Sequence, residues 1–290
     1  MMDENITKQI REKAKELLSS DTVECVIGYE AGTDGMTSRP AFIYEADDVE
    51  RLVFDNTCTH NLATYLINQK ANKVAVVVKP CDARGINVLL SERQIEREKV
   101  YVIGIVCQGV VPVSWSGSGK DLQMRCKLCN QHTPVIYDFL IGEPVVEPAP
   151  TVSPWASVAE MESKSSAEKT DYWNKQFSKC IRCYACRQVC MGCYCKECFV
   201  ELLDPEWVGI KIDTAENSMW NMIRAFHLSG RCIGCGECAR VCPVDIPLDL
   251  LNMKLAKEVA EHFEYRAGLN ADARAPLATF IKEENLGIGE

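Results

Sequence analysis

Apolar residues recur at helical spacing near the start of the chain, at Ile6, Ile10, Ala14, Leu17 and Leu18, and predict an amphipathic helix. The pattern then shortens. β-rich runs at Arg51 to Phe54, Lys73 to Val78 and Val100 to Val106 alternate with helix-like stretches at Leu62 to Gln69 and Ile86 to Arg97, as in a parallel sheet with crossover connections. Residues 1–143 are therefore expected to form an α/β domain with a mainly parallel sheet. From Glu143 to Ser166 the periodicity gives way to Pro144, Pro148, Pro150 and Pro154 and a Ser- and Glu-rich stretch, so 144–167 is predicted as a linker. Trp155 within it is expected to pack back on its own domain rather than dock on a partner. Beyond the linker, helices are predicted over Glu168 to Lys179 and Glu216 to Leu228. Another is predicted over Leu248 to Phe263, where Leu250, Leu251, Leu255, Val259 and Phe263 form an apolar face.

The C-terminal half also carries two cysteine runs, Cys180, Cys183, Cys186, Cys190 and Cys232, Cys235, Cys238, Cys242, each spaced C-x2-C-x2-C-x3-C. That spacing is the one used by bacterial ferredoxins, in which the fourth thiolate of each run serves the cluster of the other. It predicts one [4Fe–4S] cluster on Cys180, Cys183, Cys186 and Cys242, and a second on Cys232, Cys235, Cys238 and Cys190. Zinc fits less well, because three thiolates within seven residues overcrowd a tetrahedral ion. Residues 168–290 are thus expected to form a bacterial-ferredoxin-like α+β dicluster domain with a helical insert, helical extensions and a C-terminal tail.

In the N-terminal half, cysteines follow the predicted strands: Cys58, Cys81 and Cys107, with Cys126-Lys127-Leu128-Cys129 further on. Ligands in open α/β sheets bind outside the carboxyl ends of the strands, so these five thiols are candidates for a third iron–sulfur centre. The alternative is that Cys58, Cys81 and Cys107 are small apolar fillers of buried turns.

Seventeen cysteines would suit a disulfide scaffold only in a much shorter secreted chain. The first residues hold no secretory apolar region, and runs such as Val74 to Val78 are too short to cross a bilayer, so a soluble cytoplasmic protein is expected. A net charge of −9 without a basic block argues against nucleic acid. Gly117-Ser118-Gly119-Lys120 lacks the spacing that precedes it in a phosphate loop, and no dinucleotide fingerprint or nucleophile–base signature is present.

Lys79-Pro80-Cys81-Asp82, Ile103-Gly104-Ile105-Val106-Cys107, and Cys126-Lys127-Leu128-Cys129 with Asp138 and Gly142 resemble the beta subunits of deazaflavin-reducing hydrogenases and formate dehydrogenases and their heterodisulfide-reductase-associated relatives. The segment from Ile223 to Cys232 is similar to the lead-in to the second ferredoxin run of such subunits. The resemblance implies an electron-relay subunit of an anaerobic complex, with other subunits as partners. It also implies Cys81, Cys107, Cys126 and Cys129 as cluster ligands. Some members bind FAD and reduce a deazaflavin, and no flavin-contacting residue is identified in this chain.

Five cysteines then remain: Cys25, Cys58, Cys193, Cys195 and Cys198. Met191 stands where the first run would carry proline. Cys193, Cys195 and Cys198 with Cys58 are candidates for a fourth cluster; alternatively, one of them substitutes for Cys190 while the others are buried or free. His227 is expected to hydrogen-bond a cluster sulfur or the backbone, and His60, His132 and His262 to be structural. Three functions are consistent with these residues: an electron relay without substrate chemistry of its own, a flavin-containing reductase of a deazaflavin or other small cofactor, and a redox sensor switching through Cys193 to Cys198.

Overall fold

The computed structural model describes residues 4–69, 73–114, 117–118, 121–146 and 153–278. Met1 to Asp3, Pro148, Pro150, Gly119, Lys120 and residues 279–290 of the C-terminal tail lie outside the described residues. Helix α1 (Glu4–Ser19) buries Ile10, Ala14, Leu17 and Leu18 on the predicted stripe. Thr7 on the same face accepts the Phe54 N–H at 3.0 Å.

Strands β1 (Cys25–Ala31), β2 (Ser38–Ile43), β3 (Val74–Val78), β4 (Val100–Ile105) and β7 (Phe139–Ile141) form one sheet in the order β2-β1-β3-β4-β7. The two-residue strands β5 (Val113–Ser114) and β6 (Gly117–Ser118) pair apart from it. Every neighbouring pair in the large sheet is parallel except β1 with β2. All five residues of β3 are buried, the expected state of a central strand covered on both faces.

Two sequence expectations need correction. Arg51 to Phe54 is not a strand: a 3-10 turn spans Ala46–Arg51, and Leu52 contributes an isolated bridge to Glu30. The strand beside β3 is β1, whose apolar run Cys25-Val26-Ile27 is followed by Gly28, a residue without the β-branched signal. Gly28 is needed because a Cβ there would stand 2.6 Å from Leu52 Cδ2. The helix-like stretch at Leu62 to Gln69 is a 3-10 helix. Helix α2 runs over Pro80–Ser91, not from Ile86 to Arg97, because Pro80 opens it and the Asp82 carboxylate accepts the Lys79 N–H at 2.9 Å. It ends before Arg93, whose φ of 54° leaves the helical region.

The C-terminal half holds α4 (Ala156–Glu162), α5 (Ser166–Phe177), α6 (Ala185–Gln188), α7 (Thr214–His227), α8 (Glu237–Arg240) and α9 (Leu248–Phe263), after the single turn α3 (Met124–Lys127) in the first half. Among its described residues there is no strand, only an isolated bridge between Leu203 and Glu206. The expected α+β ferredoxin layout is therefore replaced by helices and loops, since no alternating apolar run flanks the cysteines to form a ladder. The expected linker is helical in α4, and Glu162 pairs with Lys254 and Lys257 of α9. Arg266 lies over the Trp155 ring at 5.8 Å. On α9 the buried face is Leu248, Asn252 and Val259, while Phe263 is exposed.

Two apolar cores result. The first, around the sheet, also takes in Met191, Ile233 and Ala267 from the C-terminal half. The second surrounds Trp220, against which Tyr184 packs edge-on at 5.1 Å.

Candidate iron–sulfur sites

The two C-terminal cysteine runs have the same backbone shape. Arg182 and Gly234, just before the second cysteine of each run, have φ of 49° and 73°; Tyr184 and Gly236, just after it, have φ of 59° and 67°. Left-handed residues alternating with helical ones turn successive N–H groups inward, forming the concave nests that surround anionic clusters. Holding Arg182 and Tyr184 in this region is strained and needs support. Arg182 supplies some by donating to the carbonyls of Gly209 and Lys211. One-turn helices α6 and α8 follow at the same place in each run.

The cysteines fall into groups. The thiols of Cys180, Cys242 and Cys183 oppose the charging of Cys186, and those of Cys190, Cys232 and Cys235 oppose the charging of Cys238. Burial pushes the thiols of Cys186 and Cys232 up to about 11 and that of Cys235 up to about 12, so these groups release their protons only to a strong cationic partner such as a metal. Donors aim at the sulfurs: the Asn252 amide at Cys238 Sγ and the Ile246 N–H at Cys242 Sγ, both at 3.4 Å. Arg224 is 3% exposed, donates to the Cys186 carbonyl at 2.9 Å and leaves its Nε without a hydrogen-bond partner. Although burial opposes its charge, Cys190, Cys193, Cys238 and Cys186 around it raise its pKa. His227, expected to hydrogen-bond a cluster sulfur or the backbone, is exposed and packs on the Phe199 ring.

At the carboxyl edge of the sheet, Cys81 sits in the first turn of α2 after β3, and Cys107 follows β4. They line a cavity of about 170 Å³ with Cys126, Cys129 and Cys235. The Gly109 N–H lies 3.3 Å from Cys107 Sγ; the Val110 N–H and the Gln131 N–H lie 3.4 Å from the sulfurs of Cys126 and Cys129. Beneath Cys81, fully buried Lys79 pairs with Asp82 at 2.9 Å and donates to the His60 carbonyl at 2.9 Å and to the Tyr29 hydroxyl. The donor set, four thiols with N–H groups directed at sulfur, fits an iron–sulfur centre.

Cys58 does not join them. It is fully buried in the first core, with the Asp55 N–H 3.4 Å from its sulfur, and burial pushes its thiol up to about 12. Cys198 packs on the second core, and hydrogen bonding with Cys190 lowers the pKa of Cys193. Of the thiols expected as a fourth set, Cys58 thus lies in the first core and Cys198 on the second, while Cys195 is exposed. Cys25, in β1, is buried with its thiol pushed up to about 11. His132 Nδ1 lies 2.9 Å from the Cys107 carbonyl, and His262 lies 3.2 Å from Glu258. Among the described residues no three Cys, His, Asp or Glu side chains meet tightly enough for a single metal ion, a geometry distinct from four thiolates around a four-iron cluster. No described helix is long and apolar enough to cross a membrane.

Arg224, Arg125 and Glu237 escaped the sequence reading. Their signal was weak: Arg125 and Glu237 are ordinary surface-type residues beside cysteines, Arg224 lies in the helix ahead of the second run, and nothing in a motif marks a charge as buried.

Comparison with known proteins agrees with this chemistry. Residues 228–247 match the 4Fe-4S binding domain family. The F420-dependent formate dehydrogenase subunit beta of Methanocaldococcus jannaschii is 23% identical over 88% of this chain and 90% of its own length. The F420-dependent formate dehydrogenase 1 subunit beta of Methanococcus maripaludis is 25% identical over 91% of each chain. These alignments extend over more positions than this chain has residues, so both relatives carry stretches without a counterpart here. The near-complete coverage and the ferredoxin-type match support an iron–sulfur electron-transfer subunit of an oxidoreductase, similar to the beta subunits of F420-dependent formate dehydrogenases.

Proposed function

We propose that the chain is an electron relay holding three [4Fe–4S] clusters. Their ligands are Cys180, Cys183, Cys186 and Cys242; Cys190, Cys232, Cys235 and Cys238; and Cys81, Cys107, Cys126 and Cys129. The observation that carries this reading for the two ferredoxin-type clusters is the repeated left-handed backbone on both sides of Cys183 and of Cys235, a shape strained at Arg182 and Tyr184 that would gain stability from an anionic cluster. Bound there, the clusters supply one-electron carriage. The protein contributes thiolates, N–H donors to sulfur, buried guanidinium groups that offset negative charge, and packing that excludes water. The partners are other subunits of a complex, one of them handling formate or hydrogen, by analogy with the formate dehydrogenase relatives.

The test is the iron and acid-labile sulfide content of the anaerobically isolated chain. About 12 iron atoms per chain are expected, at four per cluster. A value near eight removes the cluster at the sheet edge. The chain alone is expected to accept electrons from a strong reductant without turning over formate, hydrogen or a deazaflavin. Steady turnover of any of these, with flavin released by acid, replaces the relay by a flavin-containing reductase.

A further inference from the structure

One pair of side chains joins the cysteine group at the sheet edge to the second ferredoxin-type run. Arg125 precedes Cys126, yet its Nη1 lies 3.6 Å from Glu237 Oε1, between Cys235 and Cys238 of the other half. On the way its side chain lies against Gly236: a Cβ there would stand 3.0 Å from Arg125 Cδ, and the φ of 67° independently favours glycine. Glu237 has no exposed surface. Arg240 forks onto it, Nε to Oε1 at 2.9 Å and Nη2 to Oε2 at 2.7 Å.

Two guanidinium groups thus share one buried carboxylate and leave an uncompensated positive charge. Arg125 lines the same cavity as Cys81, Cys126 and Cys235, thiols drawn from both cysteine groups. Burying such a triad costs free energy that apolar packing would not, so its retention calls for a role beyond adhesion. Reducing an iron–sulfur centre adds negative charge, which a nearby cation favours and a nearby anion opposes.

Resting on the three-cluster reading, we propose that Arg125 and Glu237 are positioning residues that tune two centres together, the one on Cys81, Cys107, Cys126 and Cys129 and the one on Cys190, Cys232, Cys235 and Cys238. Removing the anion makes both easier to reduce. Removing the cation makes both harder to reduce.

The experiment is a redox titration of the full-length, cluster-loaded chain, followed by electron paramagnetic resonance. In Glu237→Gln both midpoint potentials rise; in Arg125→Gln both fall; in Arg125→Lys, which keeps the charge, both return towards the starting values. Unchanged potentials at full iron content in the two Gln variants overturn the proposal. So does a shift of the same sign in both, the signature of a loosened, wetter site. Should Glu237→Gln lose iron, Arg125→Gln and Arg125→Lys decide alone, and equal potentials in these two overturn it. Iron near eight per chain in the unsubstituted protein, with one responsive centre at Cys235, instead overturns the three-cluster reading and confines the tuning to that centre.

Discussion

Arg231 forks onto Glu92, with Nε 2.9 Å from Oε1 and Nη2 3.1 Å from Oε2. Glu92 directly follows α2 in the first half of the chain, and Arg231 directly precedes Cys232 in the second. The Tyr194 hydroxyl donates to the same carboxylate at 2.6 Å, and the Arg231 guanidinium lies 5.1 Å above the Tyr194 ring. One carboxylate therefore holds both the entry to the second cysteine run and the loop that follows the first.

Glu92→Ala leaves Arg231 and the Tyr194 hydroxyl, both half-buried, without this acceptor. The expected cost is about 1–3 kcal/mol, the penalty of an unmade buried polar contact. Tyr194→Phe removes a single donor and should cost less. Urea midpoints measured anaerobically check the order; an equal or larger loss in Tyr194→Phe contradicts it.

The turn at Gly268 is the second clasp on α2. Arg84 donates to the Ala267 carbonyl at 3.0 and 2.8 Å, and Asn87 donates to the Gly268 carbonyl at 3.0 Å. A Cβ on Gly268 would stand 2.1 Å from the Arg84 carbonyl oxygen, at a φ of 74°. Gly35 has a similar φ of 65° with nothing within 4 Å of its would-be Cβ. Gly268→Ala should therefore destabilise clearly more than Gly35→Ala, for which only a backbone penalty of about 1 kcal/mol applies. Equal thermal midpoints for the two variants would mean that the turn gives way.

Burial holds the His60 imidazole down at about 4, below its ordinary value near 6.5. The folded protein therefore binds fewer protons there than the unfolded chain, and the stability from neutral His60 is present above pH 6.5 and lost as pH falls towards 4. Between pH 6.5 and 5, the denaturation midpoint should fall less steeply in His60→Gln than in the unsubstituted chain. Parallel slopes would show that His60 titrates normally.

Cys58→Ala should keep the full iron content, because Cys58 lies in the first core beside Asp55 rather than with the thiols that line the sheet-edge cavity. Cys126→Ser should lower iron by about four atoms per chain. Iron analysis of the two variants side by side decides, and iron loss in Cys58→Ala would make it a ligand.

The cysteine chemistry was legible because cluster ligation uses local spacing: a run of four cysteines with a fixed step announces itself wherever it lies in a fold. The amphipathic stripe of α1 and the buried run of β3 were legible for the same reason, since helix and strand periods are properties of neighbouring residues. Arg51 to Phe54 misled because four apolar-rich residues satisfy a strand pattern without a partner strand, and β1 was passed over because its apolar half ends at a glycine whose purpose is room for Leu52. The missing α+β layout of the C-terminal half is a matter of long-range pairing, which the spacing of cysteines does not encode. Tertiary structure alone put Cys58 in the first core and Cys198 on the second, and it alone set Arg125 on Glu237 and Arg231 on Glu92. Charges become structural elements only when folding removes their water, and the residues that remove it come from the other half of the chain.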